Sequence, residues 1–164
     1  MKSFRRRLVL SAALATLAVA TVGLAVSRSG EGARPGQLLP YTDAAAVARG
    51  EALYAAHCAA CHGAEREGQV ADWRNPGPDG LLPAPPHDET GHTWHHPDAL
   101  LIDITTRGTE AVVGGGYRSA MIGFGDLLAE AEILAVLAFI KSVWPAEIIE
   151  VHNRVNAEAA RFGD

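Results

Sequence analysis

Cys58-Ala59-Ala60-Cys61-His62 is the stretch that decides the fold, and it holds both cysteines of the 164-residue chain. A Cys-x-x-Cys-His run is typical of c-type haem attachment, because two thiols on one turn of chain match the two vinyl groups of haem. The adjacent His62 can then bind the iron as its proximal ligand. A four-thiolate zinc site would need two more cysteines, and no βαβ pattern indicates a thioredoxin-like redox pair. The motif predicts one covalently bound haem c, attached at Cys58 and Cys61 and ligated by His62.

The sixth iron ligand is expected to be Met121. Apart from the initiator it is the only methionine of the chain, so no other thioether can reach the iron. It stands among small residues in the segment 119–125, which lets the backbone pass close to a flat ring. Two alternatives stay open: axial ligation by a second histidine, and a separate copper site. Both draw on the histidine tract, residues 87–96, which contains His87, His92, His95 and His96.

The apolar pattern after residue 41 predicts helices and no strands. Residues 44–56 are rich in helix formers, and apolar residues recur in a helical pattern after Pro97, at 129–143 and at 146–160. Asp98 would lie at the positive end of the helix that Pro97 begins. Gly50 interrupts the first helix, which indicates a close approach by another helix. The last helix is expected to bury Ile148, Ile149, His152 and Val155. The predicted fold class is all-α.

The first 26 residues indicate export rather than fold. A basic start, with Lys2 and three arginines, precedes an uncharged run at 8–26. This run exceeds an ordinary signal-peptide core and approaches the length that crosses a bilayer. We expect an uncleaved inner-membrane anchor with the rest of the chain on the periplasmic side, and a cleaved signal peptide is the alternative. Residues 27–41 would form a flexible linker and residues 42–164 one domain.

Charge is divided unevenly along the chain. After residue 28, nine Lys and Arg residues against nineteen Asp and Glu residues give a formal charge of −10. Such a surface repels nucleic acid, so nucleic-acid binding is excluded. It favours a protein partner with a basic docking patch, although acidity also serves solubility alone.

From about Val47 to Trp144 the chain resembles the bacterial class I monohaem cytochromes c. Gly50 and Tyr54 stand at the offsets from the first cysteine that this family uses where its first and last helices cross. In the predicted helix at 129–143 an aliphatic residue and an aromatic three positions later match as Val136 and Phe139. The resemblance implies a cytochrome c fold around one haem, with His62 and Met121 as axial ligands. It also implies that a proline carbonyl near Pro83 accepts the ring N–H of His62.

The resemblance implies a one-electron carrier rather than an enzyme. It would act on the periplasmic side of the inner membrane and exchange electrons with redox partner proteins. A haem subunit of a membrane oxidoreductase complex would have the same sequence features. Two further alternatives are a haem enzyme or gas sensor with an open iron site, and a metal-handling protein that uses the histidine tract.

Overall fold

The computed structural model describes residues 36–162, which fold into helices around one apolar core. Within this range the elements are α1 (Ala44–His57), α2 (Ala59–His62), a 3₁₀ turn (Thr93–His95), α3 (Asp98–Arg107), α4 (Thr109–Val113), α5 (Glu130–Ser142) and α6 (Ala146–Phe162). No β-strand occurs among these residues, which confirms the predicted all-α class. None of the described helices is long and apolar enough to cross a membrane. The predicted anchor at 8–26 lies outside the described residues and stays a prediction.

α1 and α5 cross at the centre of the core, and Gly50 lies at the crossing. A Cβ at Gly50 would stand 1.9 Å from the Ala135 carbonyl oxygen and 2.9 Å from the Phe139 Cβ. The prediction that Gly50 allows a close helix approach is therefore confirmed. One turn later the ring of Tyr54 packs on Phe139, with 5.5 Å between centroids. This contact fixes the end of α1, where the haem motif begins, against α5.

α3 begins one residue after Pro97, and its first residue is more deeply placed than the sequence indicated. Asp98 was expected only to complement the helix dipole, yet it is fully buried. Its carboxylate accepts the N–H groups of Leu38 at 2.7 Å and Leu39 at 3.1 Å. Leu39 is itself buried. The last residues of the predicted flexible linker are thus packed on the domain, because a buried carboxylate needs hydrogen-bond donors.

α6 forms where it was predicted, but its most deeply buried side chains are polar. Of the four residues expected to be buried, only His152 is fully so, while Ile148, Ile149 and Val155 are partly exposed. Asn153 and Asn156 are buried instead. Asn156 accepts the Asp98 N–H at 2.7 Å and donates to the Asp98 carboxylate at 3.0 Å. α6 is therefore held against the start of α3 by paired hydrogen bonds, while Ile148 and Ile149 pack against the apolar core.

Candidate functional site

The Cys-x-x-Cys-His run lies at the junction of α1 and α2. Cys58 ends α1 by donating its N–H to the Tyr54 carbonyl at 2.9 Å, and it also caps α2. The Cys58 carbonyl accepts the N–H groups of Cys61 at 3.1 Å and His62 at 2.9 Å. Cys58 is half-buried and Cys61 is exposed, and neither forms a disulfide. The two thiols and the imidazole share one helical turn, as the motif predicts.

His62 is the buried member of this turn, and its ring is tied to the loop between α2 and the 3₁₀ turn. Its Nδ1–H donates to the Pro85 carbonyl oxygen at 2.9 Å, which selects Pro85 among the candidate prolines. Burial lowers the pKa of His62, and the bond to Pro85 opposes that shift only in part. A neutral imidazole that donates through Nδ1 leaves the Nε2 lone pair for a metal, and the hydrogen bond makes it a better ligand.

Tyr54 holds the far end of the same turn. Its hydroxyl donates to the carbonyl of Gly63, the residue after His62, at 2.9 Å. Burial raises the pKa of Tyr54 far above 10, so the phenol stays protonated and keeps donating. Burial, with a contribution from Cys61, also raises the pKa of the Cys58 thiol to about 11. A thiol that stays protonated at neutral pH is less readily oxidised, so it would remain available for reaction with a haem vinyl group.

His87 lies against the ring of His62. The two ring centroids are 4.0 Å apart with 21° between the planes. The Nδ1 of His87 is 2.7 Å from the Thr93 hydroxyl oxygen. Burial lowers the pKa of His87 well below its usual value, and the neighbouring His62 and His92 add to the shift. Two axial imidazoles must leave room for the iron and the porphyrin between them, so in this arrangement His87 is not a ligand opposite His62.

Met121 lies in the loop between α4 and α5. Its N–H donates to the Ser119 hydroxyl at 3.0 Å, and its carbonyl accepts the Thr109 N–H at 3.2 Å. The small residues of this loop were expected to let backbone approach a flat ring. In the structure one of them, Gly123, packs on the end of α3, where an added Cβ would lie 2.6 Å from the Thr106 carbonyl oxygen. The glycine thus anchors the loop that carries Met121.

We call the loop between α4 and α5 the methionine loop and the turn from Cys58 to His62 the attachment turn. The methionine loop approaches the attachment turn through Phe124. The rings of Phe124 and His57 meet edge to face with 6.3 Å between centroids, directly beside Cys58. Met121 itself is half-buried and borders an open pocket of about 480 Å³. This pocket is lined by the end of α3, by α4 and by Ser119 and residues 121–123 of the loop. His62 and Met121 stand on separate segments, α2 and the loop between α4 and α5.

The family model for cytochrome c matches residues 47–144. The chain belongs to the cytochrome c family. No curated protein and no solved structure matches it. The match spans α1 to α5 and the methionine loop, the same part that carries the resemblance of the sequence, and α6 follows it. Family membership makes this cytochrome c a haem-based electron-transfer protein and implies haem c as its cofactor.

The donor set of this cytochrome c fits a c-type haem. Two thiols without a disulfide stand one turn apart at Cys58 and Cys61. The Nδ1–H of His62 is hydrogen-bonded to the Pro85 carbonyl, which leaves Nε2 free to bind iron. These are the groups that form two thioethers and one axial bond. Met121 would supply the thioether ligand from the second segment.

The rest of the histidine tract does not assemble into a metal centre. The rings of His92 and His96 meet edge to face at 5.3 Å, and His95 stacks on Trp94 at 3.7 Å. Nowhere in residues 36–162 do three or more His, Cys, Asp or Glu side chains gather in a way that could hold a metal ion. The copper-site alternative therefore lacks a ligand cluster in the described part of the chain.

From the sequence, His87 was predicted only as an alternative iron ligand, and its contact with His62 was not predicted. A signal was present, because His87 stands two residues after Pro85, whose carbonyl holds the His62 ring. A polar side chain so close to a ligand-supporting carbonyl is a candidate for the second layer around the site.

Proposed function

We propose that this cytochrome c is a one-electron carrier of class I that binds a single haem covalently through Cys58 and Cys61, with His62 and Met121 as axial ligands. The observation that carries the proposal is the attachment turn. Both thiols and the His62 imidazole lie on it, and the His62 Nδ1–H is bonded to the Pro85 carbonyl at 2.9 Å. An imidazole already oriented in this way needs little rearrangement to bind iron.

The haem, when bound, supplies a one-electron ferrous/ferric couple. The chain's own residues influence the reduction potential of that couple and the reorganisation that accompanies electron transfer. The Pro85 carbonyl orients His62 and raises its basicity, while the soft thioether of Met121 favours the ferrous state. Buried packing of Tyr54 and Phe139 against the turn keeps it rigid. A rigid ligand set changes little between oxidation states, so electron transfer costs little reorganisation.

Met121 is proposed as the sixth ligand because composition and placement agree. It is the only methionine beyond the initiator, and its loop reaches the attachment turn through Phe124. The rival ligand His87 lies beside His62 instead of facing it. A closed iron site with two stable ligands supports electron transfer rather than a haem enzyme or gas sensor.

We place the protein on the periplasmic side of the inner membrane, anchored by residues 8–26. The charge of −10 after residue 28 suits a redox partner with a basic docking patch. A haem subunit of a membrane oxidoreductase complex is the second candidate, and co-purification with a catalytic subunit would favour it. N-terminal sequencing of protein from washed membranes distinguishes the anchor from a cleaved signal peptide.

Haem retention tests the core of the proposal. Acid–acetone treatment of the denatured wild type should leave the haem on the chain, because thioether bonds survive denaturation. Cys58→Ser and Cys61→Ser should each sharply reduce the amount of mature holoprotein. A redox titration followed by optical spectroscopy then identifies the haem type, the axial ligands and the potential. Haem that extracts freely from the wild type would contradict the proposal.

A further inference from the structure

The imidazole of His87 is itself held firmly in place. Its Nδ1 lies 2.7 Å from the hydroxyl oxygen of Thr93, which is a buried residue. Its edge also meets the ring of Tyr54, with 6.3 Å between centroids and 71° between planes. A ring with a hydrogen bond on one side and an aromatic neighbour on another has little freedom to rotate.

The backbone of His87 is held by two hydrogen bonds. The His87 N–H donates to the Arg66 carbonyl at 2.8 Å, and the His87 carbonyl accepts the indole N–H of Trp144 at 2.7 Å. Gly91 allows the tight loop that returns Thr93 to His87, because an added Cβ there would lie 1.9 Å from the Pro86 carbonyl oxygen. The chain thus builds a fixed support on the side of His62 that His87 covers.

One hydrogen bond alone leaves the His62 ring a degree of freedom. The bond from Nδ1 to the Pro85 carbonyl constrains one atom, and the ring can still tilt about that bond. A second ring stacked at 4.0 Å and 21° removes this tilt by van der Waals contact over the ring face. We infer that His87 is a positioning residue that sets the plane of the His62 imidazole, and this inference rests on the proposed role of His62 as the iron ligand.

The orientation of an axial imidazole has a direct spectroscopic signature. Its π orbital overlaps the iron d orbitals to a degree that depends on the ring plane, and the g values of the low-spin ferric state follow that overlap. A support that merely stabilises the fold would leave these g values unchanged. Electron paramagnetic resonance of the ferric holoprotein therefore separates positioning from stability.

The experiment compares three variants with one control. His87→Leu removes the stacked ring, and Thr93→Val removes the hydrogen bond that holds it. His87→Phe keeps an aromatic ring in the stack and loses only the polar bond. His95→Leu, at an exposed histidine that stacks on Trp94, is the control. All four are measured as holoprotein beside the wild type.

We expect His87→Leu to shift the largest g value by more than the wild-type linewidth or to split it into several species. Thr93→Val and His87→Phe both keep an aromatic ring on His62 but lose the hydrogen bond between positions 87 and 93, so each should change it in the same direction by a smaller amount. His95→Leu should keep the wild-type signal. If His87→Leu does not mature, Thr93→Val and His87→Phe still decide the matter. Wild-type g values in both His87→Leu and Thr93→Val would overturn the inference but not the proposed function. If His87→Leu does not mature, wild-type g values in Thr93→Val would do the same. A wild type without thioether-bound haem would overturn the proposed function and the inference with it.

Discussion

His62 owes its placement to residues that the attachment motif does not contain. Its ring hydrogen bonds to Pro85, which is 23 positions away, and stacks on His87, which is 25 positions further along the chain than His62. The motif therefore supplies the reactive groups, while the loop after α2 supplies their orientation. Substitutions in that loop should alter the site without touching any ligand.

Met121→Ala is the residue-scale test of the sixth ligand. Loss of the thioether should abolish the weak long-wavelength band of the ferric protein, because that band arises from sulfur-to-iron charge transfer. It should also open the iron to carbon monoxide and lower the reduction potential, since thioether ligation favours ferrous iron. Optical spectra with carbon monoxide titration and potentiometry measure all three effects.

The neighbouring Ile122 offers a matched control for that test. Its side chain is 60% exposed, so Ile122→Ala should keep the band and the closed site. A wild type without the band, or a Met121→Ala protein that retains it, would remove Met121 from the ligand set.

At the scale of elements, the sequence predicted helices well and their buried faces less well. α5 begins and ends within one residue of the predicted bounds, because its apolar stripe and Pro145 determine both position and end. α6 was also placed correctly, yet its burial of Asn153 and Asn156 was missed. Apolar periodicity reveals a core-facing stripe, but it does not reveal that a polar side chain has a buried partner elsewhere.

Gly50→Ala tests the crossing of α1 and α5. At an exposed position in a helix this change would stabilise the protein by about 1 kcal/mol through helix propensity. At Gly50 the new Cβ meets the Ala135 backbone, so we expect the free energy of unfolding to fall by about 1–3 kcal/mol through overpacking. Chemical denaturation of the holoprotein measures the change.

The sign of the effect decides the interpretation. Ala52, two residues later and exposed on α1, provides the control, because Ala52→Gly should cost about 1 kcal/mol by propensity alone. A Gly50→Ala protein as stable as the wild type, or more stable, would mean that α1 and α5 do not meet closely there.

Across the whole molecule, the parts predicted from sequence are those with a local chemical pattern. Cys58, Cys61 and His62 lie within five consecutive positions, and Gly50 and Tyr54 stand at set distances before them. The contacts that escaped prediction join distant positions, as Asp98 and Asn156 do across 58 residues. One sequence contains no information on which distant polar groups meet, because many pairs satisfy the same hydrogen-bonding needs.

Several histidines of the fold share a depressed pKa with burial as its main cause. This holds for four of the six histidines other than His62, namely His87, His92, His96 and His152. Each takes up a proton more readily in the unfolded chain than in the folded one. The fold should therefore lose stability as the pH falls below 6.5, where the unfolded state begins to bind these protons.

His152 allows this linkage to be tested at one position. Its Nε2–H donates to the His96 carbonyl at 2.9 Å, and its Nδ1 is a buried acceptor without a partner. Burial, followed by the charge of Lys141, lowers its pKa, although the Asp98 carboxylate acts in the opposite direction. Between pH 6.5 and the folded-state pKa, this residue should contribute a loss approaching about 1.4 kcal/mol per pH unit.

His152→Gln keeps an N–H for the His96 carbonyl but cannot titrate. We therefore expect the free energy of unfolding to fall less in the variant than in the wild type between pH 7.5 and pH 5. Above pH 6.5 the slope of the free energy of unfolding against pH should differ little between the two proteins. Urea unfolding followed by circular dichroism across this range measures the slope, and His95→Gln at an exposed site should retain the wild-type value. An unchanged slope in His152→Gln would mean that His152 binds its proton equally well in both states, and the acid sensitivity would then belong to the histidine tract alone.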